Sequence, residues 1–164
     1  MKRHESQRGY FAYELHEQMA KNKDIVTITG DLGYKMLDSL RDDYPDRFYN
    51  LGASEQAMIG IATGMAYRGK IPVVYSITNF LLYRPFEFIR NYVDHENIKV
   101  ILAGAGRNDD YKHDGWTHQC PDAKQVLLCF PNIRQFWPES NNDGAVALRS
   151  ALKHDGPSFI SLRR

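Results

Sequence analysis

Ile98-Lys99-Val100-Ile101-Leu102-Ala103 holds five apolar residues in six, three of them β-branched. A run this short and this apolar reads as a strand buried on both faces, the kind found in parallel sheets covered by helices. The flanking sequence agrees. Upstream, Ile25-Val26-Thr27-Ile28-Thr29, Phe48-Tyr49-Asn50-Leu51 and Ile71-Pro72-Val73-Val74-Tyr75 read as further strands. Helical spacing separates them over 8–21, 34–42, 54–68 and 82–94, with Pro85 expected in the first turn of the last helix, where a missing N–H costs least. Downstream, a polar loop over 104–121 leads to a helix at 122–129, a strand at 132–136, a helix at 142–153 and a strand at 158–162. Strands alternating with helices at this spacing predict an α/β fold, a three-layer parallel sheet with helices on both faces. No repeat, low-complexity tract or Pro/Gly linker divides 1–164, so one domain is expected.

The bulk composition narrows the function classes. Twenty-one basic residues against twenty acidic ones leave a formal charge of +1, which supplies no electrostatic reason to bind nucleic acid or an anionic membrane. Ten Tyr, eight Phe and two Trp are many rings for 164 residues, and such rings often bury against a partner or a ligand. Cys120 and Cys129 form no CxxC motif and suit a reducing compartment. The first residues, Met1-Lys2-Arg3-His4-Glu5, lead into no apolar signal segment, and no run is long enough to span a bilayer, so the cytoplasm is the expected location.

Leu51-Gly52-Ala53-Ser54-Glu55-Gln56 joins the second strand to the helix over 54–68, at a carboxyl-terminal strand end where open α/β sheets bind ligands. Taken alone, Ser54 reads as a helix cap and Glu55 as a first-turn acid favoured by the helix dipole. In the same helix Gly60 and Gly64 lie four apart. Interior helical glycine costs about 1 kcal/mol against alanine, so close approach of another backbone is expected there, either inside the fold or at a subunit interface.

The wider pattern changes the standing of Glu55. Arg47-Phe48-Tyr49-Asn50-Leu51-Gly52-Ala53-Ser54-Glu55-Gln56, followed by Gly60-Ile61-Ala62-Thr63-Gly64-Met65-Ala66, resembles the pyrimidine-binding domain of transketolases and deoxyxylulose-phosphate synthases. Further matches keep the family's order: Gly30-Asp31-Leu32, Ile71–Tyr75, the aromatic segment Asn79-Phe80-Leu81-Leu82-Tyr83-Arg84-Pro85-Phe86, and Asp114-Gly115-Trp116-Thr117-His118-Gln119. The resemblance runs from residue 8 to the end, and several motifs in one order are far more specific than any one alone. It implies the thiamine-diphosphate-binding fold of the pyrimidine type and a transferase of the ketol-transfer class. It assigns Glu55 the family's catalytic acid, which hydrogen-bonds ring nitrogen N1′ of the aminopyrimidine and helps the cofactor lose its C2 proton. Such an acid must be protonated or share its proton with the ring. The resemblance also implies an aromatic slot from Phe80, Tyr83 and Phe86, with Tyr83 as the stacking face. Asp31 and Leu32 would approach the cofactor across a subunit interface. Asp114 and His118 would contact the substrate's hydroxyl and carbonyl region, His118 with catalytic proton exchange. Without the resemblance, Phe80, Tyr83 and Phe86 read as the core stripe of a helix and His118 as an exposed loop histidine.

Nothing in 1–164 resembles the family's diphosphate-binding domain or its C-terminal domain. Either the chain is an excised piece or the enzyme is split between two genes. The split enzyme is the reading adopted. Its partner, a diphosphate-binding N-terminal-section subunit, would hold the Mg2+ or Ca2+, and an α2β2 assembly would carry two sites. Two departures bear on substrate. Gln135-Phe136-Trp137-Pro138 stands where transketolases place a phosphate-binding arginine before proline, and Gly106 stands near an expected histidine. Both point away from an ordinary pentose phosphate and toward a nucleotide-linked or unphosphorylated sugar. The rivals are a β-type subunit of a 2-oxo acid decarboxylase or dehydrogenase, a deoxyxylulose-phosphate-synthase-like enzyme, and a noncatalytic assembly subunit. Gly104-Ala105-Gly106 lacks the third glycine of a dinucleotide fingerprint, and His113, His118 and Cys120 match no common zinc spacing, so no metal ligand is assigned in this chain.

Overall fold

Six strands, β1 (Ile25–Thr29), β2 (Phe48–Asn50), β3 (Ile71–Ile77), β4 (Ile101–Ala105), β5 (Arg134–Phe136) and β6 (Ser158–Leu162), form one sheet in the order β2-β1-β3-β4-β6-β5. Every pairing is parallel. The structure, a computed structural model, describes residues 2–164. Register aligns the carboxyl ends: Thr29 lies beside Tyr75, Ile77 beside Ala105, and Ala105 beside Leu162. The chain leaves β1 toward β2 on one side and returns to β3 on the other, so the strand order reverses between β1 and β3. Open α/β sheets bind ligands beyond the strand ends at such a reversal.

Alternation along the strands divides the core into two apolar layers. On one face Ile25, Val73, Tyr75, Ile101, Ala103 and Ile160 meet helices α1 (Gln7–Lys21), α2 (Asp38–Asp43) and α7 (Asn141–Lys153). On the other, Ile28, Val74, Leu102 and Phe159 meet α3 (Glu55–Tyr67), α4 (Thr78–Tyr83) and α6 (Ala123–Leu127). This is the expected α/β arrangement with helices on both faces. Ser6 caps α1 through Gly9 N–H, and a reciprocal Ser140–Asp143 capping box starts α7.

Three elements begin three or more residues away from the sequence expectation. Helix α2 starts at Asp38 instead of 34, because Gly33 and Lys35 both take positive φ and end any helical run there. The helix expected over 82–94 starts earlier and is broken. Helix α4 leaves the end of β3 at Thr78 and stops at Tyr83; a short turn α5 (Phe86–Phe88) and a π-helical turn over Ile89–Asp94 follow. Pro85 causes the break, having no N–H to continue the ladder. Strand β4 begins at Ile101 instead of 98, since Ile98 N–H closes onto the carbonyl of Val93 and the strand instead extends to Ala105. The polar loop beyond it is closed by an antiparallel bridge between Asn108 and Cys120 and holds two 3-10 turns, Lys112–Asp114 and Trp116–His118.

Candidate active site

Glu55 opens α3 just past β2 and sends its side chain inward, where it is 1% exposed. Ser54 does not cap the helix by side chain; its hydroxyl donates to the carbonyl of Leu51. The carboxylate reaches the sheet at its reversal. Ser76 of β3 donates its hydroxyl to Glu55 Oε1 at 3.1 Å, and Arg84 Nη1 donates to Oε2 at 2.7 Å. Gly30, just past β1, lies beside Glu55 Oε1. A Cβ there would come 2.8 Å from both the Gly52 carbonyl and Met58 Sδ, so only glycine lets the β1 end pack this close to the Glu55 loop.

Asn50 ties that loop to the next. Its Oδ1 accepts from Asp31 N–H at 2.8 Å and from Gly52 N–H at 3.1 Å. Asp31 sits exposed at φ 60°, and Leu32 is half-buried against the core while its carbonyl accepts from Thr29 Oγ1. Asp31, Leu32, Tyr34, Phe48 and Asn50 line one surface hollow at the strand ends.

A second hollow is lined by Asn79, Phe80, Tyr83, Trp116 and Gln119, and a third by Ser54, Glu55, Gln56 and Phe88; Arg84 borders both. Its guanidinium lies 3.7 Å from the Phe80 ring centroid. Phe80 also meets His118 in a T-shaped contact at 4.9 Å between centroids. Glu55, Arg84, Phe80 and His118 thus touch in series. Thr117 Oγ1 pairs with His118 Nδ1 at 3.0 Å, and Asn79 Nδ2 donates to the Thr117 carbonyl at 2.6 Å, fixing the loop that carries the histidine.

The other expected residues lie apart from this series. Tyr83 is exposed and donates its hydroxyl to Asp122; desolvation and that bond push its phenol above the ordinary range. Neighbouring Cys120 is buried, and burial followed by the charge of Asp122 pushes its thiol up to about 12. Phe86 does not join Phe80 and Tyr83 in the hollow; its ring packs against Phe130 in the core at 4.9 Å. Asp114 is exposed on the preceding 3-10 turn. Among the described residues no three His, Cys, Asp or Glu side chains gather as a metal-binding group. Sequence reasoning gave no role to Ser76, Arg84, Asn50 or Asp122. Two carried a signal: Ser76 is a polar residue in the apolar run of β3, and Arg84 immediately precedes a helix-breaking proline.

A buried carboxylate at the sheet reversal, on a helix that follows the Leu51–Gln56 motif, invites comparison with known proteins. Residues 6–164 match the family described as "Transketolase, pyrimidine binding domain". The chain belongs to this family. A putative transketolase C-terminal section of Methanocaldococcus jannaschii is 30% identical over 153 residues, which is 92% of this chain and 48% of that protein. One of the subunits of the apulose-4-phosphate transketolase of Actinobacillus succinogenes is 33% identical over 120 residues, covering 73% of this chain and 39% of that one. A solved structure described as "Split gene transketolase, inactive beta4 tetramer" superposes with a TM-score of 0.85 at 28% identity, over 97% of this chain and 51% of the other. The chain therefore spans about half or less of the relatives it matches. The six-stranded parallel sheet is the frame that superposes on that solved structure, and Glu55 stands at its strand-order reversal.

Exposed apolar groups continue along α3 beyond Glu55. Gly60 is explained internally, because a Cβ there would come 3.2 Å from Phe88, whereas a Cβ at Gly64 would meet nothing. Gly64 is exposed next to Ile61, and Tyr67 and Tyr92 add two exposed rings. No helix among the described residues is long and apolar enough to cross a membrane.

Proposed function

We propose that this chain is the pyrimidine-binding subunit of a thiamine-diphosphate-dependent, transketolase-like transferase that moves two-carbon ketol units between sugar-type carbonyl compounds. The observation that carries the reading is the buried Glu55 carboxyl: one oxygen is held by Ser76 inside the fold, and the other pairs with the Arg84 guanidinium, which lies over the Phe80 ring. These residues fit an aminopyrimidine, which needs a carboxyl at its ring nitrogen and an aromatic surface for its face. When bound, thiamine diphosphate supplies a nucleophilic carbon that cleaves and re-forms bonds beside a carbonyl.

The chain's own residues would divide the remaining work. Glu55 would hold a proton on its outer oxygen toward ring nitrogen N1′, with Ser76 fixing the inner oxygen so that the carboxyl cannot rotate away. Phe80 and Tyr83 would flank the ring. Phe86, packed on Phe130, would support the α4–α5 segment from the core. Asp31 and Leu32 would meet the cofactor bound in a neighbouring site. His118, backed by Thr117, would donate a proton to a substrate oxygen, with Asp114 accepting from a hydroxyl.

A diphosphate-binding partner subunit would bring the divalent cation and complete the site in an α2β2 assembly. The exposed Ile61–Gly64 face of α3, continuous with the Glu55 loop, is the surface offered for that partner. Unphosphorylated or nucleotide-linked sugars are the favoured substrates. The guanidinium at Trp137, that of Arg107, is engaged by Ser161, Pro138 and Glu139 and is not free for a sugar phosphate.

The test is reconstitution with a diphosphate-domain transketolase chain from the same genome, followed by turnover of a ketose panel. Glu55→Gln should lower kcat by about 10²-fold or more while the complex still assembles, as expected for loss of a positioned proton-transfer group. Turnover within a few-fold of the unmutated complex would reduce this chain to an assembly subunit. Efficient use of xylulose 5-phosphate would refute the substrate assignment alone.

A further inference from the structure

The Arg84 side chain fills the place where the reading above seats the pyrimidine. Its guanidinium lies over the face of Phe80 at 3.7 Å, and one end donates to Glu55 Oε2 at 2.7 Å. Guanidinium is flat, cationic and delocalised, offers N–H donors in its own plane, and stacks on aromatic faces. An aminopyrimidine protonated at its ring nitrogen presents the same three features to the same two groups: a flat π-surface, a positive charge and an in-plane N–H. Arg84 is also the residue common to the hollow around Asn79, Phe80 and Trp116 and the hollow around Ser54, Glu55 and Phe88. Withdrawing it would join the two.

We propose that Arg84 is an internal placeholder for the pyrimidine ring, closing the slot in the cofactor-free chain and swinging out when the ring enters. The two partners are unequally anchored. The Glu55 side chain is 1% exposed and held from behind by Ser76, whereas the Arg84 side chain is 45% exposed and reaches the site from the residue that caps α4, immediately before Pro85. The carboxyl is the fixed member and the guanidinium the movable one. A buried carboxylate with no counter-charge is strongly unfavourable, so the placeholder stabilises the chain before cofactor arrives. The same contact opposes cofactor binding, because the ring must displace it.

This inference rests on the proposed docking of the pyrimidine on Glu55 and Phe80. Its test uses the reconstituted complex for cofactor affinity and the full chain, without cofactor, for thermal stability. Arg84→Met keeps the aliphatic stem and removes the plane and the charge. It should lower the melting temperature of the cofactor-free chain and tighten thiamine diphosphate binding, measured calorimetrically, by roughly tenfold, the counterpart of about 1.4 kcal/mol. Arg84→Lys, which keeps the charge but not the planar fork, should fold in any case and bind the cofactor with an affinity between the two. An NMR signal from the Arg84 side-chain Nε–H should shift on saturation with thiamine diphosphate. Unchanged or weaker cofactor binding in both variants, alongside turnover that still depends on Glu55, would overturn the placeholder and leave the parent reading intact. An unmutated complex that takes up no thiamine diphosphate would overturn both.

Discussion

Replacing Ser76 by alanine deletes one hydroxyl at a fully buried position on β3 and removes the donor that stands 3.1 Å from Glu55 Oε1. No water can reach the vacated oxygen directly, since the Glu55 side chain is 1% exposed and β1 packs beside it through Gly30. Hydrogen bonds to charged groups contribute about 1.5–3 kcal/mol, and an acceptor left buried without a donor costs a similar amount, so S76A should lose about 2 kcal/mol. That is a large share of the roughly 5–15 kcal/mol that stabilises a typical domain. At about 2–4 °C per kcal/mol for a chain of this size, the melting midpoint should fall by roughly 4–8 °C. The assay is urea unfolding of four chains: unmutated, S76A, Glu55→Met, and the double variant. In the Met background the acceptor is gone, and S76A should then be nearly neutral, giving a coupling energy of about 2 kcal/mol. A coupling below about 0.5 kcal/mol, the range of independent sites, would refute the claim that Ser76 holds the carboxyl.

The two cysteines should differ sharply in reactivity. At pH 8 a soluble thiol reagent should label exposed Cys129 in the folded chain and spare buried Cys120 until urea unfolds it. Because the folded Cys120 thiol is raised to about 12 from an ordinary 9.0, the unfolded chain loses that proton first as pH rises, so stability should fall above pH 9.0; in Cys120→Ala the fall should start only nearer pH 10.0, where the raised tyrosines take over. At the other end of the scale, the Ser140 and Glu139 N–H groups and the Ser140 hydroxyl hold Asp143 below its ordinary 3.8. Its contribution is present above that value and lost as pH falls through the lowered one, so the urea midpoint of Asp143→Asn should lie below that of the unmutated chain at pH 7 and converge with it in acid.

The layered sheet was legible because its central strands β1, β3, β4 and β6 are short, buried, largely β-branched or apolar runs, too short for a buried helix and separated by helical spacing. The site was legible only in part, and the reason is the break at Pro85. Spacing of three residues between Phe80, Tyr83 and Phe86 predicts one helical stripe, hence one aromatic slot. The ladder ends after Tyr83, so Phe86 begins a new turn and rotates into the core against Phe130. A single missing N–H therefore decides which rings face the slot. Ser76 was hidden for another reason. Sequence periodicity states that a strand residue is buried, but the identity of its neighbour depends on the crossover that lays β1 between β2 and β3. Only that order brings a serine of β3 under the carboxyl of a helix that follows β2. Glu55 itself needed the motif around it, because a first-turn acid has an adequate reason to exist in the helix dipole alone.

Two guanidiniums in this chain show how burial separates a structural arginine from an exchangeable one. Arg107 is 8% exposed and sits just past β4. It donates to Ser161 Oγ, the carbonyls of Ser161 and Pro138, and Glu139, which stitches the end of β4 to β6 and to the approach of α7. Moving it would strand several buried acceptors at once, so nothing entering from solvent competes for them. Arg84 makes one charged hydrogen bond and one aromatic contact and keeps 45% of its side chain in water. Its removal strands a single acceptor, and any flat cation with an in-plane N–H can satisfy that acceptor in turn. A buried carboxyl intended for permanent structure would be better served by a partner anchored like Arg107. That Glu55 is given the loosely held one, over an aromatic ring at the sheet reversal, is the physical argument that its partner is meant to change.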